Sequence, residues 1–224
     1  MEFSEKPIMS RQQFESVVKQ LERKKTTLCG KRFFDLIFAL FLIILLWPIM
    51  LIVSTFILLE SGKPVLFRQA RMGKDGTIFT IYKFRTMTND SATADGITIA
   101  GDKRITRLGK ILRKYRLDEL PQLFNIITGE MSFVGPRPDL PRYYKMNDYS
   151  HKCILLVRPG VTGPATLEFK DEDELLSLTD NPESVYCEHI FPQKVKLNID
   201  YIQKISFISD LKIVAETFWI VFVK

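Results

Sequence analysis

Two adjacent carboxylates, Asp118 and Glu119, stand between a basic stretch, Leu112-Arg113-Lys114-Tyr115-Arg116, and a stiff segment, Gly135-Pro136-Arg137-Pro138. Proline fits the first turn of a helix, where its missing N–H costs nothing. Pro121 therefore predicts that Asp118 and Glu119 lie at the start of a helix continuing to Ile127. A helix start carries free backbone N–H groups and a partial positive charge, which stabilise a carboxylate and attract a phosphate. Plain helix capping by Asp118 is the competing account. The phosphate chemistry is favoured by what surrounds the pair: Arg113 five residues before Asp118, Lys83 and Arg85 two apart, and Arg137 held between prolines.

The whole chain suits such a ligand. Its 224 residues allow one domain with a sizeable core. The net charge of +6, from 32 basic and 26 acidic side chains, fits phosphate, nucleic acid or an anionic membrane surface. Cys29, Cys153 and Cys187 are far apart, with no disulfide framework or zinc spacing, and are read as reduced, buried or incidental. With His151 and His189 alone, a histidine triad or a multi-histidine metal site is disfavoured.

The positioning elements begin after a loose tail at residues 1–9. Ser10 and Gln13 have capping-box spacing, and Phe14, Val17, Val18 and Leu21 form a helical stripe. That stripe fits an ordinary surface helix or one lying on a membrane. From Leu36 to Leu59 run 24 uncharged, mostly aliphatic and aromatic residues, long enough for a membrane helix. The segment starts too late and is too long for a cleavable signal. Both flanks are basic (Lys24, Lys25, Lys31, Arg32; then Lys63, Arg68, Arg71, Lys74), and basic flanks prefer the cytoplasmic side. Pro48 stands at the centre, and each half rises roughly 18 Å or less, short of a hydrocarbon core of about 30 Å. Two half-helices that dip in and return satisfy both charge and proline, and are preferred to a straight single pass.

Residues 65–87 read as a hairpin around Asp75-Gly76, with Phe79, Ile81, Lys83 and Arg85 on one face of the return strand. The two cations are read as a phosphate clamp. A polar loop at 88–103 follows, either a lid or mobile. Thr106 then caps a basic helix with Leu108, Ile111, Leu112 and Tyr115 as its apolar stripe. The acidic run 168–174 is read as a solvated helix start. In the last segment, Leu211, Val214, Ala215, Phe218, Trp219 and Phe222 share a face assigned to core packing first and membrane contact second.

These pieces together resemble the bacterial sugar transferases of the small monotopic phosphoglycosyl transferase family, which start membrane glycoconjugate assembly. The likeness rests on Lys31-Arg32-x-x-Asp35, Phe67-Arg68-Gln69 with Arg71 and Gly73, Lys83-Phe84-Arg85-Thr86-Met87, and Asp102-x-Arg104-x-Thr106. It continues in Leu112-Arg113-Lys114, Leu117-Asp118-Glu119-Leu120-Pro121-Gln122, Gly135-Pro136-Arg137-Pro138 and Arg158-Pro159-Gly160-Val161-Thr162-Gly163. Each piece alone is weak; the ordered set, over about residues 31–165, is highly specific.

The resemblance implies transfer of a sugar phosphate from a UDP-sugar to a polyprenyl phosphate, with release of UMP. It makes Asp118 the nucleophile of a phosphosugar–Asp intermediate, and Glu119 its assistant through Mg²⁺ or proton handling. Two like charges in one site raise one pKa, so a bridging metal on Asp118 and Glu119 is expected to keep both ionised. Lys83, Arg85, Arg113, Arg137, Arg158 and Thr162 are the implied substrate-binding residues, and Arg32, Trp47 and Pro48 the implied membrane set. Two departures from the family pattern stand out. Trp47 replaces the small residue frequent before the membrane proline. Pro164-Ala165-Thr166-Leu167-Glu168-Phe169 replaces an aromatic-Gln run.

The resulting expectation is a helix-rich α+β fold in one domain. Residues 1–30 form a tail and amphipathic helix, 31–62 a re-entrant membrane hairpin, and 63–224 a catalytic domain on the cytosolic face of the bacterial inner membrane. The partners expected are UDP-sugar, polyprenyl phosphate and membrane lipid, with no nucleic acid; homo-oligomerisation is left open. The alternative is a non-enzymatic membrane adaptor with a basic anion-binding face, which needs charge but not the ordered Asp-Glu and Pro-Arg-Pro geometry.

Overall fold

The computed structural model describes residues 8–88 and 99–223. The core of the polar loop, from 89 to 98, lies outside the described residues.

Helix α1 (Arg11–Arg23) opens with the reciprocal cap: Ser10 N donates to Gln13 Oε1 at 2.8 Å, and Gln13 N to Ser10 Oγ at 3.3 Å. Val17 and Leu21 are buried in the largest core with residues from 149–157 and 186–205. The stripe is therefore an internal packing surface, which corrects the membrane-lying reading.

Helix α2 (Lys25–Ser61) is one helix with Pro48 inside it, at the place where a kink between two half-helices was expected. One proline removes one N–H and crowds one carbonyl, which bends a helix without having to end it. Among the described residues, α2 is the one helix long and apolar enough to cross a membrane. Phe41, Ile44, Trp47, Leu51, Ile52 and Leu59 are exposed, a larger apolar surface than a soluble monomer leaves bare. Both ends are nonetheless tied to the same body. Near the start, Arg32 Nη1 donates to the Ile126 carbonyl at 2.7 Å, and Ala39 is buried against Phe79, Ile81, Leu123 and Ile126. At the end, Arg85 Nη2 donates to the carbonyls of Ser61 at 2.7 Å and Gly62 at 2.6 Å. Val53 and Ile57 there pack with Phe84 and Leu112.

Strands β1 (Leu66–Met72) and β2 (Ile78–Phe84) form the antiparallel hairpin, with Leu66 opposite Phe84 and Met72 opposite Ile78. Asp75 (φ 56°) and Gly76 (φ 75°) both take left-handed backbone in the turn, the conformation Asp-Gly tolerates best. Phe79 and Ile81 face the core, whereas Arg85 falls just beyond the strand. Helix α3 (Arg107–Lys114) is capped by Thr106, whose Oγ1 accepts from Gly109 N at 2.9 Å.

Helix α4 (Gln122–Thr128) leads to β3 (Ser132–Val134), α5 (Tyr149–Ile154) and β4 (Gly160–Thr162), and β3 and β4 pair in parallel. Next come α6 (Pro164–Glu168), α7 (Glu172–Ser177), α8 (Pro182–Val185), a π-turn at Tyr186–Ile190 and α9 (Phe191–Lys204). In α10 (Phe207–Phe222), the face expected in the core is turned outward. Leu211, Val214, Phe218 and Trp219 are exposed, and Asp210 and Ile213 are buried instead. Asp210 is claimed by two partners, since Lys31 pairs with it and the Tyr201 hydroxyl donates to it at 2.7 Å. These bonds set the rotation of α10. Its apolar face then continues that of α2, with Phe207 edge-on to Phe34 at 5.3 Å between ring centres. The described architecture is helix-rich with a small two-stranded hairpin and one long apolar helix near the N-terminus.

Candidate active site

The carboxylate pair sits in a short turn of 3₁₀ helix, Leu117–Glu119, ahead of α4. Arg116 makes this possible by taking left-handed backbone (φ 55°), which ends α3 and redirects the chain. Pro121 follows at φ −62°, already helical, as its position predicts. Asp118 and Glu119 are each 7% exposed, so neither is a mere surface cap.

The two acids have opposite surroundings. Glu119 Oε1 accepts from Arg137 Nη2 at 2.6 Å and from Lys83 Nζ at 2.8 Å, with Arg116 Nη1 at 3.8 Å. Burial alone would raise its pKa, yet Arg137, Lys83 and Arg116 hold it well below the usual carboxylate range. Asp118 Oδ1 is buried with no hydrogen-bond partner among the described residues. Burial pushes the Asp118 pKa up and Glu119 adds to the rise, while Lys83, Arg113 and Arg116 oppose it. Arg137 and Lys83 thus balance the charge of Glu119 at Oε1. Asp118 keeps an oxygen free.

Both acids line a cleft of about 1090 Å³ whose walls carry ten basic and five acidic side chains. Arg113 is in it, with Nε donating to Thr86 Oγ1 at 2.9 Å, and so is Arg85, whose guanidinium reaches across to the end of α2. Lys83, Arg113 and Arg137 thus converge on the acids. Arg158 and Thr162 do not. Arg158 Nε donates to the Gly129 carbonyl at 2.7 Å, and Thr162 Oγ1 bonds Thr217 Oγ1 at 2.7 Å; neither lines the cleft. Arg32 caps the end of α4, and Trp47 and Pro48 lie on the exposed part of α2.

Sequence reasoning missed Arg116 and the far wall of the cleft, where Glu172, Tyr186, Lys194 and Asn198 gather. Glu172 belongs to the acidic run read as solvated, but it pairs with the buried Lys194 at 2.5 Å. The one available signal was a lysine and an asparagine on the otherwise apolar inward stripe of α9.

Arg137 is set by backbone contact. Gly135 N donates to the Thr162 carbonyl at 2.9 Å, and Gly160 N to the Pro136 carbonyl at 2.9 Å. A Cβ on Gly160 would collide with the backbone of Gly135, so these loops require glycine to approach this closely.

A buried carboxylate with one unpartnered oxygen, in a cation-lined cleft on a body with an exposed apolar helix, suits chemistry on phosphate esters. The chain belongs to the bacterial sugar transferases, a family that matches residues 26–224. It is 40% identical, over 84% of its length and 67% of the other's, to a UDP-glucose:undecaprenyl-phosphate glucose-1-phosphate transferase of Caulobacter vibrioides. It is 36% identical to an uncharacterized sugar transferase, EpsL, of Bacillus subtilis, over 84% of each chain. A UDP-N-acetylgalactosamine-undecaprenyl-phosphate N-acetylgalactosaminephosphotransferase of Aeromonas hydrophila is 44% identical over 59% of this chain and 32% of its own. The chain is therefore an enzyme, as the ordered motifs implied, and the adaptor reading is set aside.

Proposed function

We propose that this enzyme transfers a sugar phosphate from a UDP-sugar to undecaprenyl phosphate through a covalent intermediate on Asp118. The donor and acceptor classes are those named for the relatives from Caulobacter and Aeromonas. The observation that carries the mechanism is the Asp118 oxygen left without a partner while Glu119 beside it is doubly paired. A carboxylate can act as a covalent nucleophile on phosphorus. Asp118 attacks the sugar-bearing phosphorus, the bond to the bridging oxygen breaks, and UMP leaves with that oxygen. An oxygen of the lipid phosphate then attacks the same phosphorus and returns Asp118 as a carboxylate. Arg113 orients the donor phosphates, and the Lys83–Glu119–Arg137 set fixes the wall behind them.

Magnesium is bound through one or two carboxylates together with substrate phosphates, so no larger acidic cluster is required. The free oxygen of Asp118 and its neighbour Glu119 fit that donor set, and the ion would neutralise charge on the donor diphosphate. Helix α2 is proposed to enter the bilayer and return to the cytosolic face, bent at Pro48. Basic residues at both flanks and the bonds from both ends to one body support this. A hydrophobic helix without that bend would carry its ends to opposite sides.

Incubation with a UDP-sugar in the absence of lipid acceptor is expected to add one sugar phosphate to the intact protein mass. Asp118→Asn is expected to lose both the adduct and turnover. Near-normal transfer by that variant would overturn the nucleophile assignment.

A further inference from the structure

The far wall of the cleft has its own chemistry. Asn198, on α9, is 4% exposed, and its side-chain oxygen has no hydrogen-bond partner among the described residues. The Thr166 hydroxyl, on α6, is buried and likewise without a partner. Both residues line the same cleft as Asp118. A buried polar atom left unmade costs free energy, so two of them on one wall point to a ligand that completes them. Lys194, which lines the same cleft, is fixed by Glu172 at 2.5 Å, with its ammonium 4.8 Å from the centre of the Tyr186 ring. Tyr186 is also packed by Tyr143 at 4.9 Å and by Phe191 at 6.0 Å. Its ring is therefore taken, which argues against a stacking slot for a nucleobase. What the wall offers is an amide, a hydroxyl and an ion pair, a set suited to sugar hydroxyls.

We propose that Thr166, Asn198 and the Glu172–Lys194 pair form the subsite that binds the hydroxyl groups of the transferred sugar. This inference rests on the UDP-sugar reading above. The Asn198 oxygen accepts from one sugar hydroxyl, Thr166 bonds a second, and the ion pair frames the ring. Failure to bond them leaves buried groups unpaired, which is how such a site rejects the wrong sugar.

The test uses the full-length enzyme in detergent with undecaprenyl phosphate. UDP-glucose, UDP-galactose, UDP-N-acetylglucosamine and UDP-N-acetylgalactosamine are screened by UMP release, and the best donor is carried forward. Its kcat/KM is compared with the affinity for UDP, which lacks the sugar, measured by calorimetry. Asn198→Ala and Thr166→Val are each expected to lower kcat/KM by about tenfold and to leave UDP affinity unchanged. Asn198→Asp and Thr166→Ser, which keep an oxygen in place, are expected to recover part of the loss. Thr166→Val is nearly isosteric at a half-buried position, so it decides the matter if Asn198→Ala does not fold. Unchanged kcat/KM, or equal losses for donor and UDP, overturns the subsite and leaves the transferase reading standing. Turnover of none of the four donors overturns both.

Discussion

Arg137 Nη2 and Glu119 Oε1 lie 2.6 Å apart, although eighteen residues separate them in the chain. Lys83 reaches the same oxygen at 2.8 Å, so one acid serves two cations while Asp118 beside it keeps an oxygen unshared. Removing Arg137 would leave a buried acid half-compensated. Arg137→Ala is expected to lower kcat by roughly 10²- to 10³-fold, the range for loss of one preorganised electrostatic partner. Arg137→Lys should recover only part, because an ammonium keeps the charge but not the fork. UMP-release kinetics provide the check, and near-normal turnover of Arg137→Ala would dismiss the proposed role of this wall.

The same contrast fixes the response to pH. The proposed attack by Asp118 requires a carboxylate, and burial raises the pKa of that group. The acid limb of kcat/KM should therefore lie above the ordinary carboxylate range of about 4. Lys83 is the largest single charge opposing that rise, so Lys83→Met should move the limb to higher pH. Glu119 runs the other way in stability. Its pKa is depressed in the folded state, so its contribution is present above its ordinary value of 4.5 and is lost as pH falls through the depressed one. The thermal midpoint should fall on acidification, and fall less in Glu119→Gln. A limb unmoved in Lys83→Met would contradict this assignment.

Arg85 secures the end of α2 through the carbonyls of Ser61 and Gly62. Hydrogen bonds from a charged donor contribute roughly 1.5–3 kcal/mol, and Arg85→Ala should cost about that much stability. Denaturant unfolding in detergent measures it; an unchanged midpoint would mean the contact is idle.

Gly160→Ala would drive a Cβ into the backbone of Gly135. Overpacking of this kind costs roughly 1–3 kcal/mol, and here it also displaces the loop that carries Arg137. Reduced stability together with reduced turnover is expected. An alanine variant with wild-type values for both would show that the loops can separate without consequence.

Cys29 and Cys187 are exposed, whereas Cys153 is buried, with its thiol pushed up to about 12. A membrane-impermeant maleimide should modify Cys29 and Cys187 in inverted vesicles and neither in right-side-out spheroplasts. Labelling of the two from opposite faces would remove the re-entrant proposal.

Local rules made much of this legible. Pro121 located the turn bearing the acids, Asp75-Gly76 the hairpin, and Thr106 and Ser10 the caps, because each signal acts within a few residues. What sequence could not supply was decided over distance. The outward face of α10 follows from Lys31 and Tyr201 holding Asp210, and no periodicity within that helix reveals them. Glu172 read as solvent-facing because its partner, Lys194, lies 22 residues on. The α1 stripe was correctly seen as apolar, but its cover came from α5 and α9. Arg158 and Thr162 were drawn into the site by the motif that contains them, yet their bonds serve Gly129 and Thr217.

Helix α2 is clamped by Arg32 near one end and by Arg85 at the other. If α2 dips into one leaflet as proposed, these two anchors would keep it from sliding when lipid tails lengthen or shorten. A thinner or thicker leaflet would then rock the whole enzyme and shift Asp118 relative to the headgroups. Acyl-chain length would in that case tune how easily a lipid-borne phosphate meets its target, with the water-soluble donor left indifferent.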